Sequence, residues 1–224
     1  MVTGESWTIQ KTTERFLLYN IPWEGYQSFL RILAESAVRL TYHQGTLELM
    51  RASFFRERYK VLARRVVDVL TEEREMAIVA IGSTTFNREA LEVGVDPDLS
   101  YYFSNAGRIT DWDHIDLEVD PPPDLTVEID LTNEARDRIR VFAALKIPEV
   151  WRFDGEVLEV LRLQAAGDYQ IVPQSKVFSW VSMEGVSRFL RDSSIGDDNQ
   201  WAKAFRRWVR ETILPRVQDE RGGE

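Results

Sequence analysis

A chain of 224 residues, 44% hydrophobic and 29% charged, with eleven Phe, seven Trp and seven Tyr, has the material for one folded core without a covalent staple. Cysteine is absent, which excludes disulfide frameworks, thiolate nucleophiles and Cys-ligated metal and suits a reducing cytoplasm; two histidines, His43 and His114, exclude a histidine-rich metal site. The net charge of −9 argues against a broad non-specific grip on nucleic acid, because such a grip is driven by neutralising phosphates with basic surface. The first residues, MVTGESWTIQ, carry no basic-then-apolar leader, and no run approaches the length of a membrane span. The expectation is a cytoplasmic protein without membrane contact, one domain over 1–224 with its core at about 22–172 and a helical extension at about 183–216.

Residues 1–12 read as a polar start. After Pro22, the spacing of Phe29, Leu30 and Leu33 predicts a helix to about Glu35. Val38, Leu40 and Tyr42 alternate with polar residues, as do Leu47 and Leu49 beyond Gln44–Gly45, which predicts a hairpin. Phe55, Tyr59, Leu62, Val66 and Leu70 make one stripe of a long helix from about Phe54 to Arg74. Short strands are expected at Ala77–Ile81, Leu99–Phe103 and Ile115–Val119, with a turn region over Asn105–Asp113. A strong strand, Asp124–Leu131, precedes a helix from about Asn133 to Leu145. Val150–Phe153, Val157–Leu163 and Tyr169–Val172 form a meander, and Glu184–Leu190 and Trp201–Ile213 read as helices.

The segment DLTVEIDL is the most informative. Strand alternation puts Leu125, Val127, Ile129 and Leu131 on one face and Asp124, Thr126, Glu128 and Asp130 on the other. The plain reading is an edge strand with a solvated acidic face. Against it, acidic residues are poor strand formers, and three carboxylates on one face repel unless something positive meets them. The helix and strand that follow look like a crossover, which places this strand inside a sheet, and a divalent cation held by oxygen ligands would relieve the repulsion. Asp98 opens another strand thirty residues upstream, and Glu57 lies near the start of the long helix, where the plain reading is a solvated position.

The ordered set HQGTLELM, RERYKVLARRVVDVLTEE, GSTTFNRE, DPDLSYYF, PPPDLTVEIDLTNEARDRIRVFAALKIPEVWRFDG resembles the Uma family (the second so numbered) of restriction-endonuclease-like proteins, over roughly residues 38 to 163. The resemblance implies an α/β fold, a mixed central sheet flanked by helices, and the PD-(D/E)xK type of nuclease site. Carried onto this chain, the helix glutamate is Glu57, the aspartate after a proline is Asp98, and the strand glutamate is Glu128. Asp124 also follows a proline but shares a strand with Glu128, so it is expected to support the site. Two positions depart from the family: Arg56–Glu57 stands where His–Glu is frequent, and Asp130 stands where a lysine is expected. Arg138 or Lys60 is then the candidate for the missing positive charge; for each, ordinary surface charge is the plain alternative.

What the resemblance implies is hydrolysis of phosphodiester bonds in nucleic acid, DNA first, with Mg²⁺ or Mn²⁺ as cofactor. Asp98 and Glu128, with the carbonyl of Ile129, would hold one ion; Glu57 or Asp130 would hold a second or orient water, and Arg138 would add charge to the transition state. Two basic clusters, Arg56 to Arg65 and Arg136 to Arg140, flank this set. A homodimer through Trp201, Phe205 and Trp208 is expected if that stripe is not spent inside the domain. The rival reading is a fold-retaining binding or regulatory protein that has lost catalysis, favoured by the absent lysine and the acidic balance. No nucleophile elbow, phosphate loop or dinucleotide fingerprint occurs.

Overall fold

The computed structural model describes residues 14–216 except 35, 52, 112–114, 132–135 and 194–195. The chain opens with strand β1 (Glu14–Leu18) and helix α1 (Trp23–Ile32), the latter entered through Pro22, whose fixed φ suits a helix start. Strands β2 (Val38–His43) and β3 (Thr46–Arg51) form the expected hairpin. Its two-residue turn puts Gln44 and Gly45 at φ 45 and 87, the left-handed pair that matches strand twist. Helix α2 (Phe54–Glu73) follows, capped by the Ser53 hydroxyl, which accepts from the Arg56 amide.

Four short strands come next: β4 (Val79–Gly82), β5 (Phe86–Arg88), β6 (Val93–Val95) and β7 (Leu99–Tyr102). Then come β8 (Leu125–Ile129), helix α3 (Arg136–Ala144) and the meander β9 (Glu149–Phe153), β10 (Leu158–Leu163) and β11 (Tyr169–Val172). Helices α4 (Met183–Arg191) and α5 (Asp198–Trp208) close the fold, the last running into a π-helical turn at Val209–Ile213. The expected start of α3 near Asn133 and the polar start at residues 1–12 lie outside the described residues.

The strands form two sheets. The first is antiparallel, in the order β1-β3-β2-β6-β5; the second runs β11-β10-β9-β8-β7-β4 and is mixed, with β8 and β9 parallel and the other pairs antiparallel. The α/β class with a mixed, helix-flanked sheet is as expected, and the crossover β8–α3–β9 places β8 inside its sheet. The antiparallel sheet as a separate layer was not anticipated beyond its β2–β3 hairpin. Its strands β5 and β6 have three residues each, too few to show a period. The expected strand at Ile115–Val119 is a turn instead, because Asp116 accepts from Glu118 and its carbonyl from Val119 and Asp120, which offers the backbone a local alternative to a ladder.

Three cores hold these layers. On one face of the mixed sheet, Leu62, Val66 and Leu70 of α2 meet Leu125, Val127 and Ile129 of β8 together with Val186 and Phe205 of the late helices. On the other, Val141, Phe142 and Leu145 of α3 pack with Val150, Leu161, Val93 and Val95. A smaller core seats Trp23 and Tyr26 of α1 on Leu40, Tyr42 and Leu47. Each of the large side chains buried here contributes about 1.5–3 kcal/mol. The aromatic stripe expected to pair two copies is used within the chain: Phe205 is fully buried and stacks on Trp201 at 5.7 Å, and Trp208 packs on Phe205 and Phe189. Among the described residues no helix is long and apolar enough to cross a membrane.

Candidate functional site

Alternation along β8 decides what meets what. Leu125, Val127 and Ile129 enter the core under α2, so Thr126 and Glu128 project to the opposite side, and both are fully buried there. The plain reading of a solvated acidic face therefore fails. β7 lies antiparallel beside β8 with Leu99 opposite Val127, which brings Asp98 against Glu128. Each acid holds backbone of the other's strand: the Asp98 amide donates to Glu128 Oε1 at 3.0 Å and the Ile129 amide, next to Glu128, to Asp98 Oδ2 at 2.8 Å.

Three guanidiniums, from three other elements, fill the space. Arg39 of β2 reaches Asp98 Oδ1 at 2.6 Å and Glu128 Oε1 at 3.1 Å. Arg56, in the first turn of α2, donates from Nη2 to Asp98 Oδ2 at 2.7 Å and Glu128 Oε2 at 3.2 Å, and from Nε to Asp98 Oδ1 at 3.3 Å. Arg138 of α3 grips Glu128 with Nε and Nη2, both at 3.1 Å, and gives Nη1 to the Thr41 hydroxyl at 2.5 Å. The Asp96 carbonyl accepts from Arg138 and Arg39. The cluster thus joins both sheets and two helices.

Burial alone would raise the pKa of Asp98, but Arg39, Arg56, the Ile129 amide and Arg138 together hold it well below the usual carboxylate range. Glu128 is treated alike: burial opposes ionisation, while Arg138 and Arg39 overcome it and lower its pKa. Burial lowers the pKa of Arg56; it acts the same way on Arg39, where Asp98 and Glu128 prevail and raise it. Both acids are anions at neutral pH.

Of the residues expected at the site, Asp98, Glu128 and Arg138 meet. Glu57 and Lys60 do not touch the acids; they pair with each other at 3.9 Å and line a neighbouring cleft of about 660 Å³ that also takes in Arg39 and Asp96. The Glu57 side chain is 50% exposed, as the plain reading of its helix position had it, and Arg56 turns inward in its place. Asp130 is buried just past the end of β8, its amide bonded to the Phe153 carbonyl at 2.8 Å. Asp124 organises the turn after β7, accepting from the Phe103 and Asn105 amides and the Ser104 hydroxyl at 2.7–3.0 Å. Arg39 and Thr41 were not anticipated. They occupy the polar side of the alternating strand β2, and only the packing of the antiparallel sheet against the acids of the mixed sheet and against α3 makes that side an interior.

This donor set does not fit a divalent ion as it stands. Mg²⁺ needs about six oxygen ligands at roughly 2.0–2.1 Å, yet all four carboxylate oxygens of Asp98 and Glu128 accept from guanidinium groups. Among the described residues no group of three or more acidic, histidine or cysteine side chains is placed to hold a metal. The repulsion that an ion was expected to relieve is relieved by arginine.

The family model Uma2, described as putative restriction endonuclease, matches residues 24–188, a span that includes every residue of the cluster. A crystal structure of a putative nuclease belonging to DUF820, from Anabaena variabilis, is similar at 15% identity and a TM-score of 0.47, covering 67% of this chain and 90% of that one. Comparison with curated proteins gave no match.

Proposed function

The chain belongs to the Uma2 family, and from that premise we propose that it binds nucleic acid on the endonuclease scaffold with the centre of phosphodiester cleavage closed by arginine. The observation that carries the reading is the complete engagement of Asp98 and Glu128 by Arg39, Arg56 and Arg138. With no carboxylate oxygen open, neither water activation nor leaving-group neutralisation by a metal has a ligand set to work from. The place for a ligand is the adjoining cleft, where Lys60, Ser83 and Asn87 offer donors of the kind that contact phosphate oxygens. Arg39 Nε has no hydrogen-bond partner among the described residues. DNA is the first ligand to test. A homodimer, if one forms, uses a surface other than the aromatic stripe.

A second reading is favoured by the family description: an endonuclease using Mg²⁺ or Mn²⁺ at Asp98 and Glu128, with Glu57 or Asp130 assisting. It requires the guanidiniums to leave the acids when substrate arrives. Incubating the protein with labelled DNA and RNA in Mg²⁺ and Mn²⁺, with fluorescence anisotropy alongside, separates the two. Binding without cleavage supports the closed centre. Ion-dependent cleavage that disappears in Asp98→Asn upholds the second reading and overturns the first.

A further inference from the structure

We infer that Arg56 is a built-in cation that takes the place of a divalent ion between Asp98 and Glu128, so that the native protein excludes such ions from this centre. The inference rests on contact geometry and is independent of whether the cleft binds nucleic acid.

Arg56 Nη2 is shared by one oxygen of each acid, at 2.7 Å from Asp98 Oδ2 and 3.2 Å from Glu128 Oε2. A metal seated between these two oxygens would displace it, and the other two, Asp98 Oδ1 and Glu128 Oε1, are bridged by Arg39. The guanidinium is also held from behind: Arg56 is buried, its Nη1 lies 3.6 Å from Met50 Sδ, and its amide is fixed by the Ser53 cap. To leave the acids it would have to give up all of these contacts at once. Arg39 and Arg138 close the remaining oxygens, so an ion arriving between the acids would face three guanidiniums across two carboxylates in a buried setting, where like charges are poorly screened. On this helix it is Arg56, and not its neighbour Glu57, that meets the acids. A side chain one residue earlier points at the acids, and an arginine there supplies the charge that a metal would.

The prediction is that removing this one cation uncovers a divalent-ion site with Asp98 and Glu128 as ligands. The probe is Mn²⁺ alone, followed by electron paramagnetic resonance and calorimetry on the full chain at neutral pH. The wild type is expected to show no stoichiometric Mn²⁺ site. Arg56→Ala is expected to bind one Mn²⁺ per chain at least tenfold more tightly, and adding Asp98→Asn is expected to abolish it. Arg56→Met, uncharged and closer in volume, serves if the alanine variant does not fold, with the same expectations. A wild-type Mn²⁺ site lost in Asp98→Asn would overturn the inference, and so would a folded Arg56 variant that binds no more Mn²⁺ than wild type. The two proposals fail separately. A wild type that holds no Mn²⁺ and binds neither DNA nor RNA defeats the proposed binding function and leaves this inference standing, whereas a wild type that binds nucleic acid yet holds Mn²⁺ at Asp98 and Glu128 defeats this inference and leaves binding in the cleft standing.

Discussion

Arg138 holds Glu128 by a two-pronged pair, Nε to Oε2 and Nη2 to Oε1, both at 3.1 Å, so the two ends of the β8–α3 crossover are tied by side chains as well as by the chain. The third nitrogen reaches Thr41 of the other sheet, which makes Arg138 a clasp between layers. A buried ion pair of this kind adds little over a well-packed apolar pair, but losing one partner strands the other charge in low dielectric. Arg138→Ala is therefore expected to lower unfolding stability by about 3–5 kcal/mol in a urea titration. Arg138→Lys should recover less than half of that, because an ammonium lacks the planar fork. A loss under 1 kcal/mol would show that the clasp does not hold the layers.

Acid should loosen the same cluster. The pKa of Asp98 and Glu128 is lowered in the folded state, so the unfolded chain binds more protons in the acid range and stability rises with pH there. The contribution is complete above the unfolded carboxylate pKa, about 4, and is lost as pH falls toward the folded values. Melting temperature should be flat from pH 7 to about 5 on this account and drop below it. Asp98→Asn removes one of the linked protons, so its melting curve against pH should fall less steeply than that of the wild type. Parallel curves would remove Asp98 from the account.

The cleft beside the cluster gives a charge-based test of the binding proposal. Lys60 and Glu57 stand together at its rim. Lys60→Ala should weaken DNA binding, and Glu57→Gln should strengthen it, each by roughly five-fold at low salt, with both effects shrinking as salt is raised. Neither change should move stability by more than about 0.5 kcal/mol, since both residues are at the surface. Anisotropy titrations at two salt concentrations check this. Equal affinities for all three proteins would place the ligand elsewhere.

The first sheet depends on a close approach at Gly94. It sits opposite Tyr42 on β2, and a methyl group there would overlap the Tyr26 hydroxyl of α1, whose ring stacks on Tyr42 at 4.8 Å. Gly94→Ala is expected to cost about 1–3 kcal/mol by overpacking. The double variant with Tyr26→Phe should regain part of it, because the hydroxyl is the first atom struck and has no hydrogen-bond partner among the described residues. Chemical denaturation of the three proteins tests the contact; a neutral Gly94→Ala would refute it.

Local pattern determined much of this protein. The period of α2, the hairpin at Gln44–Gly45, the alternation of β8 and the crossover to β9 follow from spacing and turn chemistry, because each is decided by neighbours within a few residues. The meeting of Asp98 with Glu128 was likewise legible, as two acids at the starts and middles of strands that resemblance set side by side. What surrounds those acids was not. Arg39 reads as the polar side of a half-exposed strand until Asp98 and Glu128 of the other sheet come against it, and Arg56 reads as one more charge on a basic helix until the same two acids receive it. Whether a charged side chain ends in solvent or against a buried carboxylate depends on the packing of elements far apart in the chain. Here that packing put guanidiniums where spacing alone suggested an ion.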